Sequence, residues 1–205
     1  MNRNSTRYTV AFTFIVCAFF VFFLALANDL TKEKVAANRR FTERSSVLRA
    51  LGVPFADAGS VDSVYEKEVT ELTAGSTVVY RASAEGVPRF ARFFSGPALW
   101  GTVFGVLAVD AEVGRVSGLQ IVSHNETPGL GGRIDESWFK DQFTGERIAD
   151  AGIRVRQGSG KGDGDSENAE VDAVTGASLT SKFMETMVNG EIAALRKLRD
   201  EGGLK

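Results

Sequence analysis

Asp172-Ala173-Val174-Thr175-Gly176-Ala177-Ser178-Leu179-Thr180-Ser181 is a run of small and hydroxylated residues that opens onto an apolar-periodic segment. From Lys182 to Leu198, Met184, Met187, Val188, Ile192, Leu195 and Leu198 recur at three- and four-residue spacing. This predicts an amphipathic helix with Ser181 as N-cap and Arg196, Lys197 and Arg199 near its end. The decapeptide is therefore a strand-to-helix junction. Gly176 and Ala177 let backbone approach a ligand closely, and the amides opening the helix offer donors and a positive dipole end to a phosphate. The hydroxyls of Thr175, Ser178, Thr180 and Ser181 could share that phosphate. An ordinary helix start with spare serines explains the same residues, so both readings stand at this point.

Upstream, Ser123-His124-Asn125-Glu126-Thr127-Pro128-Gly129-Leu130-Gly131-Gly132 forms a shaped loop, in which proline fixes one backbone angle and three glycines permit tight turning. Such a loop either binds a ligand or merely turns, and His124 in it reads as a hydrogen-bonded structural residue. It follows Thr102–Val109 and Val116–Val122, two β-prone runs joined by Ala111-Glu112-Val113-Gly114, expected to form a hairpin at the heart of a sheet. Thr77–Tyr80, Phe90–Phe94 and Ile153–Val155 read as further strands and Ser137–Phe143 as a short helix. Gln157 to Glu170, with four glycines and mixed charges, reads as a surface loop.

At the other end, Tyr8 to Ala27 carries no charge and has phenylalanine at 12, 14, 19, 20, 22 and 23, enough helix to cross a hydrocarbon core of about 30 Å. The apolar run exceeds a usual signal-peptide core, which favours an uncleaved anchor, although Arg3, Arg7 and Ala25-Leu26-Ala27 also suit a cleaved signal. Charge alone leaves orientation open, since Lys32, Lys34, Arg39 and Arg40 follow the span. Either reading exports the remainder. Leu30 to Leu51 reads as a helix leaving the membrane, stopped by Gly52-Val53-Pro54. The expected organisation is a tail at 1–7, an anchor at 8–27, a connecting helical region at 28–75 and one domain at 76–205.

Composition narrows the chemistry. With 24 basic and 26 acidic residues in 205, the chain lacks the polycationic surface that nucleic acid requires. Cys17 is the only cysteine and His124 the only histidine, which excludes disulfides within the chain, thiolate zinc sites, cysteine-ligated iron–sulfur clusters and histidine-cluster metal sites. Redox chemistry here would need an organic cofactor.

The junction and the glycine loop together resemble the FMN-binding domain family found in the C subunit of the sodium-pumping NADH:quinone reductase and the G subunit of the Rnf electron-transport complex. The family's flavinylation pattern, Asp-x-x-Ser/Thr-Gly-Ala-Thr/Ser, is met at Asp172, Thr175, Gly176, Ala177 and Ser178. Its Glu-Thr-Pro-Gly-Leu-Gly pattern is met at Glu126, Thr127, Pro128, Gly129, Leu130 and Gly131. The resemblance covers most of the chain, weakly before Gly96 and in the 157–170 loop. It implies an α+β fold: a single N-terminal transmembrane helix, then one extracytoplasmic FMN-binding domain with a mostly antiparallel sheet flanked by helices, at the bacterial inner membrane.

It further implies covalent FMN, esterified through phosphate to Ser178 by a separate flavin transferase that takes it from FAD, and electron relay beside other subunits of a membrane ion-translocating redox complex. The usual acceptor in the family is threonine; Ser178 offers the same oxygen, and Thr180 is the fallback. Asp172 is implied in recognition or motif geometry, Thr175 to Ala177 in the tight approach, Leu179 and Thr180 in the site, and Thr127 to Gly131 as a wall beside the ring. Gly96-Pro97-Ala98-Leu99-Trp100-Gly101 resembles the quinone-reductase protein, whereas the chain length is nearer the Rnf protein, and Trp100 reads equally as a core aromatic or a flavin contact. Two readings of other classes remain: an exported module binding an anionic group reversibly, and a flavin-free structural assembly subunit.

Overall fold

The computed structural model describes residues 6–74, 77–84 and 86–204; most of the expected tail, the 75/76 boundary, residue 85 and Lys205 lie outside them. By contacts the chain divides into two units, Met1–Arg40 and Phe41–Lys205. The first unit is the leading part of α1 (Thr6–Leu51), with largely exposed side chains. Among the described residues, this is the one helix long and apolar enough to cross a membrane. The span and the exit helix expected from sequence are one uninterrupted helix. Asn28 and Asp29 lie within it; Thr31 Oγ1 donates to the Ala27 carbonyl at 2.8 Å and Lys32 pairs with Asp29 at 2.6 Å.

In the second unit, α1 ends where Gly52 adopts φ of +71°, Gly52 N–H donates to Arg49 O at 3.1 Å and Val53 N–H to Leu48 O at 2.9 Å, a Schellman stop. Arg89 Nη1 donates to the Leu51 carbonyl at 3.0 Å. A short turn and α2 (Val61–Glu68) lead into β1 (Thr70–Ala74), β2 (Thr77–Ala84), β3 (Val87–Pro97), β4 (Thr102–Asp110) and β5 (Val116–Ser123). These form a five-stranded sheet in the order β1-β2-β3-β4-β5, with every neighbouring pair antiparallel. The β4–β5 hairpin forms as expected, but it is not the heart of the sheet: β5 is the terminal strand and β3 the middle one. The outer side of β5 is partly covered, since Val116 N–H donates to Glu146 O at 2.9 Å and Gly145 N–H to Val116 O at 2.8 Å.

After β5 come α3 (Ser137–Asp141), a parallel pair of short strands, β6 (Arg154–Arg156) and β7 (Glu170–Asp172), and α4 (Ser178–Asp200). Period-two alternation sends Phe90 and Phe94 of β3, and Val103, Leu107 and Val109 of β4, to the face packed by Met184, Val188, Ile192 and Leu195 of α4. The opposite face buries Ala91, Val106 and Ala108 against Val47, Leu48 and Leu51 of α1 and Val61 of α2. α4 starts earlier than expected. Its N-cap is Ala177, and Ser181 lies within the first turn, where its Oγ turns back to accept the Val174 N–H at 3.1 Å.

Candidate functional site

β7 is anchored to β6 in parallel, and the chain then makes a tight descent into α4. Ala173 N–H donates to Arg156 O at 2.6 Å, Ala177 N–H to Val174 O at 3.0 Å, and Gly176 takes φ of +79°, a conformation glycine adopts without strain. Val174 and Ala177 plug into the core, which leaves Thr175, Gly176, Ser178 and Leu179 outside. Ser178 opens a 23-residue helix whose N-cap makes no side-chain hydrogen bond, and its own hydroxyl has no hydrogen-bond partner among the described residues. A cavity of 210 Å³ lies beside it, lined by Val155, Gln157, Thr175, Ser178, Ser181 and Lys182 among others. At its edge Lys182 pairs with Glu185. Burial pushes the Glu185 carboxyl up, but Lys182 and the Val155 N–H, which it accepts at 2.8 Å, hold it below the usual range.

Glu126 joins three segments. It is 4% exposed; its Oε1 accepts the Trp100 N–H at 2.8 Å and its Oε2 accepts the Thr180 hydroxyl at 2.6 Å. His124 Nδ1 accepts the Glu126 N–H at 3.1 Å, which sets the bend of the loop. A side chain at Gly131 would stand 2.5 Å from Glu126 Oε2 and 2.7 Å from Thr180 Oγ1, so the bridge closes only over a glycine. Leu130 reaches the turn that opens α4, its Cδ2 lying 3.4 Å from where a Cβ on Gly176 would be. Thr127 holds the loop through its carbonyl, which accepts from Leu130 and Gly132. Pro128 and Gly129 lie exposed at the loop's tip.

Trp100 is 66% exposed and so is not a core aromatic; Leu99, Leu130 and Leu179 are 46%, 47% and 59% exposed. Asp172 points elsewhere: its Oδ2 accepts from Ser159 Oγ at 2.8 Å and Gly160 N–H at 3.0 Å, fastening the 157–170 loop rather than lining the cavity. Two polar side chains at the site escaped the sequence reading, Glu185 and Gln142. Gln142 and the Glu185 bond to Val155 carry no local signal, because those partners lie 30 residues away, whereas the Lys182–Glu185 pair is a three-residue helical spacing that the sequence offered.

The FMN-binding domain model matches residues 99–192, a stretch that runs from Leu99 through both motifs and into α4. The G subunit of the ion-translocating oxidoreductase complex of Stutzerimonas stutzeri is 30% identical over 198 residues, covering 94% of this chain and 81% of that one. The chain belongs to the FMN-binding domain family. The C subunit of the Na(+)-translocating NADH-quinone reductase of Neisseria meningitidis serogroup A is 34% identical over 113 residues, 52% of this chain, and the match spans 44% of the relative's length. The crystal structure of the corresponding C subunit of the Na(+)-translocating NADH-quinone reductase from Parabacteroides distasonis shares the fold. Its TM-score is 0.68 at 21% identity, covering 82% of this chain and 96% of that one. The antiparallel sheet with flanking helices is thus a fold shared with that structure, and in this chain a long apolar helix precedes it.

Proposed function

We propose that this chain carries FMN joined through its phosphate to Ser178 Oγ. It passes electrons as a membrane-anchored component of an ion-translocating redox complex, of the quinone-reductase or Rnf kind, with the domain outside the cytoplasm. The observation that carries this reading is the contrast between two hydroxyls. Ser178 is exposed and unpartnered at the start of α4, whereas Thr180 is 1% exposed and donates to Glu126. A modifying enzyme can reach the first and not the second.

The residues present fit such a group. A volume of 210 Å³ is below the roughly 300–1,000 Å³ of sites that engulf a drug-sized ligand, so it suits a phosphate and its attachment and leaves a ring outside. The uncapped amides of α4 and the helix's positive end favour phosphate charge. Trp100, Leu130 and Leu179 offer exposed apolar surface around the acceptor turn for a ring. When bound, the flavin supplies one- and two-electron redox chemistry. In maturation, a flavin transferase joins Ser178 Oγ to the flavin-side phosphorus of FAD. The phosphoanhydride breaks, AMP leaves, the serine proton is released, and no electron is exchanged.

Coexpressed with a flavin transferase, the protein is expected to gain the mass of one FMN less one water on the peptide containing Ser178. Ser178→Ala should abolish in-gel flavin fluorescence, while Thr180→Ala and Ser178→Thr retain it. Flavin kept by Ser178→Ala and lost by Thr180→Ala would overturn the choice of acceptor. No flavin in any variant or in the parent would leave a reversible binding module or a structural assembly protein.

A further inference from the structure

Gln142 stands just past α3 and is 9% exposed. Its Oε1 accepts the Asp172 N–H at 2.7 Å and its Nε2 donates to the Asp172 carbonyl at 2.9 Å. β7 is paired with β6 along one edge, and the neighbouring Ala173 N–H points to that side. The Asp172 N–H and carbonyl therefore point to the open edge, where a third strand would lie, and the Gln142 amide meets them as that strand would. The same Oε1 also accepts the Asp163 N–H at 3.0 Å, which draws in the loop whose Ser159 and Gly160 hold the Asp172 carboxylate. Asp172 is thus gripped at its backbone by Gln142 and at its side chain by a loop that Gln142 also holds.

We infer that Gln142 is a positioning residue for the modification of Ser178, its amide fixing the backbone from which the acceptor turn is hung. This rests on Ser178 being the acceptor. From Asp172 the constraint passes to both ends of the turn: Ala173 is bonded to Arg156, Val174 to Ser181, and Ala177 to Val174, which closes the turn over Thr175 and Gly176. Only a planar group with one donor and one acceptor at this reach serves both backbone atoms. Leucine supplies neither, and an ionised glutamate supplies no donor and sets its charge against a carbonyl.

The test measures transfer of FMN from FAD to the full-length chain by a purified flavin transferase, read as the mass gained on the Ser178 peptide, together with thermal unfolding. Gln142→Leu is expected to lower the maximal rate of labelling by roughly ten- to hundredfold, with the KM for FAD unchanged. Gln142→Glu should be slow at pH 8 and recover towards the parent rate near pH 5.5, because a protonated carboxyl regains a donor for the Asp172 carbonyl. Parental labelling rates in a folded Gln142→Leu chain would overturn the inference. If that variant does not fold, a Gln142→Glu rate equal to the parent's at both pH values overturns it instead. An unlabelled parent would break the choice of Ser178 and the inference with it, whereas a labelled parent separates the two.

Discussion

The two faces of the five-stranded sheet are packed by different means. On the α1 and α2 side, apolar residues fill the layer, with Val47, Leu48, Leu51, Val106 and Ala108 at most 1% exposed, and the charges stay at the rim. There Arg44 pairs with Asp62 at 2.8 Å and lies 4.9 Å from the centre of the Tyr65 ring, whose hydroxyl donates to Glu71 at 2.7 Å. The α4 side has a larger apolar cluster and also takes charge inside. Arg92 and Glu191 meet at 2.9 Å with side chains 20% and 6% exposed, and Glu126 and Glu146 are buried at 4% and 1%. Burying ionisable groups costs solvation that pairing only partly returns. Burial pushes the Glu191 carboxyl up to about 6 against the pull of Arg92. The turn that opens α4 and its Glu126 bridge belong to the side that bears this cost, and the other side adds stability without such a charge.

The largest break in that contrast should come from Arg92→Met, which leaves Glu191 buried without its partner. The expected loss is about 3–5 kcal/mol, read by denaturant unfolding, and Arg92→Met combined with Glu191→Leu should recover most of it. A single substitution costing less than the double one would contradict a buried pair.

An intermediate effect of opposite sign is expected at Glu146. Its Oε1 has no hydrogen-bond partner. Burial, with Asp163 and Asp165 adding to it, lifts the carboxyl from 4.5 to about 7 in spite of the Ala169 and Glu170 amides. The folded chain therefore holds a proton that the unfolded chain releases, and stability falls as pH rises from 4.5 to about 7, then levels off. Glu146→Gln should flatten that slope and stabilise the protein above pH 7 by an amount on the order of 1–3 kcal/mol. Parallel stability–pH curves for the two proteins would refute this.

The smallest change belongs to the apolar side. Burial first, then Glu71, holds the Tyr65 phenol well above its usual range. Tyr65→Phe removes one half-exposed hydrogen bond and should cost about 1 kcal/mol in thermal or denaturant unfolding, with flavin labelling unchanged. A loss of labelling would show that the two faces are coupled.

The long apolar helix, the β4–β5 hairpin, the amphipathic α4 and the two motifs were legible in the sequence, because each depends on periodicity or on turn chemistry within a few neighbouring residues. What tertiary structure decided was which of those residues meet. Sequence left Ser178 and Thr180 as rival hydroxyls and Trp100 as either core or surface. The Glu126 bridge separates the hydroxyls by drawing Thr180 inward, and it holds the Trp100 backbone while the ring stays exposed. The expected N-cap at Ser181 failed for the same kind of reason. Propensity marks serine as a good cap, but the turn behind β7 makes Ser181 Oγ the acceptor for Val174 and starts the helix at Ser178. Gln142 carried no signal, since its partner Asp172 is 30 residues away and becomes a neighbour only when β7 settles beside β6 with one edge open. Local pattern encodes elements, whereas pairing between distant polar groups depends on how those elements pack.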